Sequence, residues 1–133
     1  TKAILKGEAI PVFNKGQMVR DFTYIDDIVE GTYLCSLKIP SANQKEADVI
    51  DSAPHKIFNI GYGKPVNLLE FINLLESAFN LKAIKKYEPM QKGDVVETFA
   101  DTQNLRKWIN YKPQIDIEEG LDKFVEWYKD YFH

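Results

Sequence analysis

The chain has 133 residues, a net charge of −3, 44% hydrophobic residues and 13% aromatic residues. This length and composition predict one globular domain, residues 1–133, and exclude a disordered chain. The interspersed charge argues against a nucleic-acid surface, and no apolar run is long enough to span a membrane. A single cysteine, Cys35, and two histidines disfavour a structural zinc site and indicate a reducing, cytoplasmic compartment.

The first elements predict a helix end followed by a β-hairpin. Residues 1–7 are typical of the last turns of a helix that ends at Gly7, so the chain looks like part of a larger protein. Residues 8–13 include a proline and predict a strand at a sheet edge. A turn at 14–17 would then pair this strand with residues 18–24 in a hairpin.

A helix is predicted over 26–38, with Asp26 as its N-cap. Its apolar positions fall roughly on one face: Ile28, Val29, Tyr33 and Leu37. Cys35 lies in this helix and is interpreted as a small buried side chain.

The middle of the chain alternates between loop, strand and helix. Residues 40–55 are polar and predict an exposed, mobile loop. Residues 56–60 form a near-continuous apolar run, typical of a strand buried on both faces of a parallel sheet. A glycine-containing turn at 61–65 follows. The clearest helix covers 68–79, capped by Asn67.

The last third predicts an edge strand over 83–87 and a loop over 88–101, followed by a helix over 102–110 that Asp101 caps. The final helix begins after Asp116 and is amphipathic. Its apolar positions are Ile117, Leu121, Phe124, Val125, Tyr128 and Phe132.

Arg20 is one of two arginines and stands where the strand turns into the helix. Its planar, permanently charged fork suits a bidentate contact to phosphate or carboxylate. The alternative is an ion pair with a nearby carboxylate, that of Asp21, Asp26 or Asp27.

Three stretches in this order resemble the extended short-chain dehydrogenase/reductase family, in its C-terminal, sugar-nucleotide-binding part. They are V-R-D-F-T-Y-I-D-D-I-V-E-G (19–31), I-F-N-I-G-Y-G-K-P-V-N-L-L-E-F-I (57–72) and M-Q-K-G-D-V-V-E-T-F-A-D (90–101). The chain looks most like the UDP-glucuronate 4-epimerase subgroup, with UDP-glucose 4-epimerases and dTDP-glucose 4,6-dehydratases as close relatives. The resemblance implies an α+β portion of short strands and about four helices, with the Rossmann half missing.

The resemblance also implies the substrate-binding residues. Arg20 matches the arginine that grips the nucleotide diphosphate, Phe13 matches the position against the uracil, and Asp94 matches the carboxylate that accepts hydrogen bonds from the ribose. The alternatives are that Phe13 is hairpin core and that Asp94 caps backbone N–H groups in a turn. Gln91 and Thr98 stand where galactose-type epimerases carry an arginine and a tyrosine. The arginine would be a second phosphate ligand, so its absence favours the glucuronate subgroup, and the Gln91 amide can still donate hydrogen bonds to the substrate.

Catalytic residues are expected upstream, because the family's glycine-rich cofactor loop and Y-x-x-x-K pair do not occur in this chain. The resemblance therefore implies the UDP-sugar-binding portion of an NAD-dependent 4-epimerase for cell-surface polysaccharide precursors, an enzyme expected to be a homodimer. By itself the chain is expected to bind no NAD, to be inactive and to self-associate. The alternative from another class is a non-catalytic nucleotide-sugar-binding module.

Overall fold

The computed structural model describes residues 1–41, 48–50 and 53–132. Within these residues five α-helices and six short strands form an α+β fold, as the sequence predicts. In chain order they are α1 (Lys2–Leu5), β1 (Ala9–Val12), β2 (Val19–Arg20), α2 (Ile25–Leu37), β3 (Asp48–Ile50), β4 (Ala53–His55), β5 (Val66–Asn67), α3 (Leu68–Phe79), β6 (Ile84–Tyr87), α4 (Gln103–Ile109) and α5 (Ile117–Phe132). That the whole chain is one domain stays a prediction.

The strands form three separate pairs rather than one sheet. β1 and β6 are parallel, with Val12 opposite Tyr87, and each has only this one partner in the described chain. Both were predicted as edge strands, and this prediction is confirmed. Because the two strands run in the same direction, the segments that follow Val12 and Tyr87 leave from the same end of the pair.

The predicted hairpin between the first two strands is wrong. A 3₁₀ turn at Phe13–Gly16 redirects the chain, and Asn14 and Lys15 within it have φ angles of 49° and 53°. Gly16 lies so close to Leu69 that a Cβ atom would stand 2.5 Å from its Cγ. This contact brings β2 to the start of α3, where it pairs antiparallel with β5 instead of returning to β1.

The core lies where α3, α5 and α1 meet. Its buried cluster consists of Ile4, Leu75, Phe79, Leu121 and Val125. Both predicted N-caps of the long helices are confirmed: Asn67 Oδ1 accepts from Leu69 N at 2.9 Å, and Asp116 Oδ1 accepts from Glu119 N at 3.0 Å. The apolar face of α3 is covered within this chain by α1 and α5.

The buried and exposed faces of helix α2 differ from those that the sequence predicts. Its N-cap is Tyr24 rather than the predicted Asp26, and its fully buried residues are Asp27 and Gly31. Cys35, predicted to be buried, is half-buried, and this burial raises the pKa of its thiol. A stripe of large apolar residues, which we call the α2 stripe, is 56–63% exposed: Ile25, Val29, Tyr33 and Leu37.

Two predictions for the middle of the chain are wrong. Residues 56–60 form no strand, and Ile57 is 81% exposed. A strand needs a neighbouring backbone to accept its hydrogen bonds, and a short apolar run does not reveal whether one exists. Within the predicted loop, β3 and β4 form an antiparallel pair. Residues 42–47 and 51–52 lie outside the described residues, so the mobility of this loop stays a prediction.

The predicted helix over 102–110 is confirmed as α4, which buries Leu105 and Trp108. Its N-cap is Thr102, whereas Asp101 accepts from Gln103 N at 3.0 Å in a local turn. None of the described helices is long and apolar enough to cross a membrane.

The α2 stripe leads to a testable expectation about association. Four adjacent apolar side chains that are more than half exposed favour burial against another surface. We expect the isolated chain to sediment as larger species with rising concentration. The double substitution Val29→Lys and Leu37→Lys should return it toward a monomer by placing charges in the stripe.

The matched control for this experiment is the pair Asn73→Lys and Asn104→Lys, which adds the same two charges at exposed positions of α3 and α4. Sedimentation velocity at several concentrations is the measurement. A chain that stays monomeric throughout, or an equal effect of both pairs, would contradict a role of the α2 stripe.

Candidate functional site

Arg20 ends β2 with its guanidinium enclosed by four acceptors. Nη1 donates to Val19 O at 2.9 Å and to Val96 O at 3.1 Å. Nη2 donates to Val95 O at 2.6 Å and to Asp94 Oδ1 at 2.7 Å. The side chain is 22% exposed. Three backbone carbonyls thus fix the orientation of the fork, and its anionic partner among the described residues is Asp94, whose side chain is 35% exposed.

The ion pair of Arg20 is not one of those that the sequence suggested. Asp21 and Asp27 bind backbone groups elsewhere, and the acceptor is Asp94, 74 residues further along the chain. Asp94 Oδ1 also accepts from Val95 N at 2.8 Å, so the alternative that Asp94 caps a backbone N–H in its turn is observed as well. The structure therefore brings two of the predicted binding residues into direct contact.

The segment 94–98 lies alongside β2 and carries these acceptors. Val19 N donates to Val96 O at 2.9 Å, and Thr98 N donates to Val19 O at 3.1 Å. A turn precedes the segment, in which Asp94 N donates to Gln91 O at 3.2 Å and Gly93 adopts φ +85°. The position of Asp94 beside Arg20 is therefore set by backbone pairing, in addition to the ion pair itself.

Phe13 and Gln91 lie beyond the same end of the parallel pair of β1 and β6. Phe13 follows β1 and the loop containing Gln91 follows β6, so both leave from the same end. Glu88 N donates to Val12 O at 2.9 Å and thereby holds the start of the loop against the end of β1. Phe13 is half-buried and Gln91 is exposed. Since no hairpin forms, the alternative of Phe13 as hairpin core is wrong.

Asp21 is a site-supporting residue that the sequence reasoning missed. Its two carboxylate oxygens accept from Gly63 N at 3.0 and 3.1 Å, and one of them also accepts from Ala100 N at 3.3 Å. Its own N–H donates to Thr98 Oγ1 at 3.3 Å. Asp21 thus ties the glycine turn to the segment beside Arg20. The only feature of the sequence that pointed to Asp21 was its position next to Arg20, and an exposed carboxylate on the surface would show the same pattern.

The glycine turn does not fit a dinucleotide cofactor. A turn that binds a dinucleotide needs free backbone N–H groups that point at the pyrophosphate. Here Tyr62 N donates to Thr23 Oγ1 at 3.0 Å and Gly63 N donates to Asp21. A Cβ on Gly61 would stand 2.7 Å from Ala100 Cβ, so this glycine permits close packing within the protein. The turn is structural.

Asp27 holds the second half of the chain against the start of α2. This carboxylate is 3% exposed and accepts from Gln114 N at 2.9 Å, Ile115 N at 2.9 Å and the Tyr111 hydroxyl at 2.7 Å. Burial, together with this hydrogen bond, raises the pKa of Tyr111 well above its ordinary value. Tyr111, Gln114 and Ile115 are thereby clamped to the Asp27 carboxylate.

One cavity is chemically unlike the Arg20 site. An apolar cavity of about 390 Å³ lies beside α3 and α5, and Arg20 and Asp94 are not among its lining residues. Its walls include Phe22, Tyr24, Phe71, Leu75, Leu121 and Phe124. Among the residues that the structure describes, no group of three or more histidine, cysteine or carboxylate side chains could hold a metal ion. The Arg20–Asp94 region is therefore an open, charged site.

Comparison with known proteins agrees with this architecture. Residues 1–61 match the sequence model of the "NAD dependent epimerase/dehydratase family". "Protein CapI" of Staphylococcus aureus is 43% identical over 138 aligned positions, and the alignment covers 99% of this chain and 41% of that protein. The "Probable UDP-glucuronate 4-epimerase" of Rhizobium meliloti is 42% identical over 132 aligned positions, and the alignment covers 95% of this chain and 39% of that protein.

A solved structure extends the likeness to three dimensions. The UDP-glucuronic acid 4-epimerase of Bacillus cereus, in complex with UDP-glucuronic acid and NAD, superposes with a TM-score of 0.79 at 25% identity. The match covers 98% of this chain and 38% of that enzyme. The fold is thus similar to that of a portion of this enzyme. The match to the family model ends at residue 61, and the chain spans about two fifths of the length of the curated relatives it matches.

Proposed function

We propose that this chain is the C-terminal, substrate-binding portion of an NAD-dependent UDP-sugar 4-epimerase, with UDP-glucuronate as its substrate. The observation that carries the proposal is the Arg20 guanidinium, which three backbone carbonyls hold in one orientation beside an exposed carboxylate. An arginine fork fixed in this way is preorganised for a diphosphate, because little side-chain freedom remains to be lost on binding.

The other predicted contacts suit a nucleoside diphosphate around this arginine. The Asp94 carboxylate is 35% exposed and can accept hydrogen bonds from ribose hydroxyls, and Phe13 offers a half-buried ring face for the uracil. Gln91 is exposed and can donate through its amide where galactose-type relatives would carry an arginine. Anchoring the nucleotide would allow the sugar to turn over while UDP stays fixed.

The choice of glucuronate within the family rests on two supports. The named relatives and the superposed structure include glucuronate epimerases. Thr98 also stands where galactose-type epimerases have a tyrosine, and its hydroxyl accepts from the backbone of Asp21. A tyrosine at this position lacks the hydroxyl on Cβ that accepts from Asp21 N, so this hydrogen bond would be lost. UDP-glucose 4-epimerase activity is the nearest alternative within the family.

NAD would supply hydride chemistry in the complete enzyme, but no residue of this chain is assigned to it. The amides of the glycine turn are already used, and the Tyr and Lys pair expected for catalysis does not occur in this sequence. We therefore expect the chain alone to bind no NAD and to turn over no UDP-glucuronate. The cytoplasmic location and the homodimeric parent remain predictions.

Arg20→Ala in the full-length enzyme should weaken UDP binding by about 2–3 kcal/mol, roughly 30- to 150-fold in Kd, because a charge-assisted bidentate contact is lost. Arg20→Lys should recover only part of the affinity, since a point charge lacks the fork. Titration calorimetry with UDP is the measurement.

The matched control is Lys107→Ala, which removes one positive charge from an exposed position of α4. It should leave UDP affinity nearly unchanged. If Arg20→Ala binds UDP as tightly as the unmodified enzyme, the diphosphate assignment is wrong and Arg20 serves only to hold the segment 94–98.

A further inference from the structure

Strand β2, which carries Arg20, is too short to fix its neighbours by regular pairing. It consists of Val19 and Arg20 and lies between β5 on one side and the segment 94–98 on the other. A strand of two residues contributes only a few ladder hydrogen bonds. The relative position of the two flanking segments therefore depends on contacts outside the ladder.

Asp21, the residue after β2, makes such contacts with both flanking segments at once. Its carboxylate accepts from Gly63 N at 3.0 and 3.1 Å, in the turn that leads into β5. It also accepts from Ala100 N at 3.3 Å, just beyond the segment 94–98. Its own N–H donates to Thr98 Oγ1 at 3.3 Å. One residue thus fastens the glycine turn and the end of the segment 94–98 to the end of β2.

The glycines of the turn make this arrangement possible. A Cβ atom on Gly61 would lie 3.0 Å from Asp21 Oδ2 and 2.7 Å from Ala100 Cβ, and Gly63 adopts φ +77°. A side chain on Gly61 would therefore push Asp21 and residue 100 away. A side chain on Gly63 would strain the backbone that donates to Asp21.

We propose that Asp21 is a positioning residue for the diphosphate site, which sets the affinity of Arg20 for a nucleoside diphosphate without contacting the ligand. This inference rests on the proposed diphosphate role of Arg20. The carbonyls of Val95 and Val96 help to orient the Arg20 guanidinium, and both belong to the segment that Asp21 fastens. When this segment moves, the guanidinium loses part of its fixed orientation, so part of its preorganisation for the diphosphate is lost.

Asp21→Asn weakens these contacts while it keeps the size of the side chain. One carboxylate oxygen becomes an amino group, which cannot accept from Gly63 N or Ala100 N. In the full-length enzyme we expect this variant to bind UDP roughly 3- to 10-fold more weakly, the scale of one lost hydrogen bond. Hydrogen exchange should become faster at Thr98 N, which donates to Val19 O, but not at the amides of α5.

The matched control is Asp27→Asn, the same change in a carboxylate that also accepts from two backbone amides, Gln114 N and Ile115 N. Within the part of the chain that the structure describes, Asp27 makes no hydrogen bond to the segment 94–98. Asp27→Asn should therefore lower the free energy of unfolding and leave the Kd for UDP nearly unchanged.

A second pair of variants tests the same role without altering the carboxylate. Thr98→Val keeps the branched shape of the side chain but cannot accept from Asp21 N, whereas Thr98→Ser keeps the hydroxyl. We expect Thr98→Val to weaken UDP binding and Thr98→Ser to retain most of the affinity. This pair decides the question if Asp21→Asn does not fold.

A double-mutant cycle shows whether Asp21 acts through Arg20. If it does, Asp21→Asn should have little further effect on UDP affinity in an enzyme that already carries Arg20→Ala. Titration calorimetry with UDP on the four forms is the measurement, and urea unfolding shows that each form is folded.

The outcomes separate the two proposals. If Arg20→Ala leaves UDP binding intact, the proposed function is wrong and the positioning role falls with it. If Arg20→Ala weakens UDP binding but Asp21→Asn and Thr98→Val do not, the diphosphate site stands and the role of Asp21 is overturned. An equal loss from Asp21→Asn with and without Arg20, or a loss of affinity without faster exchange at Thr98 N, would also overturn it, because Asp21 would then act by another route.

Discussion

Asp27→Ala should lower the free energy of unfolding by about 3 kcal/mol, because three buried donors would lose their acceptor and each such loss costs about 1–3 kcal/mol before relaxation. Those donors are Gln114 N, Ile115 N and the Tyr111 hydroxyl. The carboxylate is 3% exposed, so water cannot easily take its place. Urea unfolding followed by circular dichroism measures the change.

Two comparisons make this prediction specific. Asp26→Ala changes the neighbouring carboxylate, which is exposed on α2, and should cost well under half as much. Tyr111→Phe should cost about 1 kcal/mol, since one hydrogen bond is lost while two remain. If Asp27→Ala and Asp26→Ala are equally mild, the buried carboxylate is not what holds residues 111–115 against α2.

Glu76 should make the stability of the chain sensitive to acid. Its side chain is 1% exposed on α3 and pairs with Lys82 at 2.8 Å and with Lys85, while Ala83 N donates to it at 3.1 Å. The hydrogen bonds from Lys82 and Lys85 lower the pKa of Glu76 from its ordinary 4.5 to about 2, against the opposing effect of burial. These bonds fasten β6 to α3.

The sign of the pH effect follows from this lowered pKa. Above pH 4.5 the ionised carboxylate contributes its full stabilisation, which is lost as the pH falls from 4.5 toward 2 and the folded form takes up a proton. Glu76→Gln should cost about 2 kcal/mol at neutral pH, the scale of hydrogen bonds to a charged group, and should flatten the pH dependence below 4.5.

Unfolding free energies measured between pH 2 and pH 7 test this expectation, with Glu70→Gln on the exposed side of α3 as the matched control. A steep loss of stability below pH 4.5 that persists unchanged in Glu76→Gln would assign the acid sensitivity to other carboxylates.

The α2 stripe and residues 56–60 show the same limit of apolar patterning. Both carry apolar side chains that sequence reasoning interprets as buried, yet Val29, Tyr33 and Ile57 are more than half exposed. Apolar periodicity shows that a surface is suited to burial, but it does not identify the surface that covers it. The relatives are more than twice as long as this chain, and such apolar surfaces suit cover by further polypeptide.

The sequence by itself determined the local features of this protein. Asn67 and Asp116 were identifiable as helix caps because a cap depends on neighbours within a few residues, and the faces of α3 and α5 followed from their apolar spacing. Arg20 was identifiable as a candidate anion ligand from its chemistry alone. These features depend on short stretches of chain.

Only the tertiary structure decided which distant segments meet. The pairing of β1 with β6, the pairing of β2 with β5 and the contact between Arg20 and Asp94 all join residues that are far apart in the sequence. Such contacts depend on how the 3₁₀ turn and Gly16 direct the chain past Leu69. The sequence alone does not indicate which arginine or backbone amide a given carboxylate will contact. For this reason the roles of Asp21, Asp27 and Asp94 could be separated only once the chain was folded.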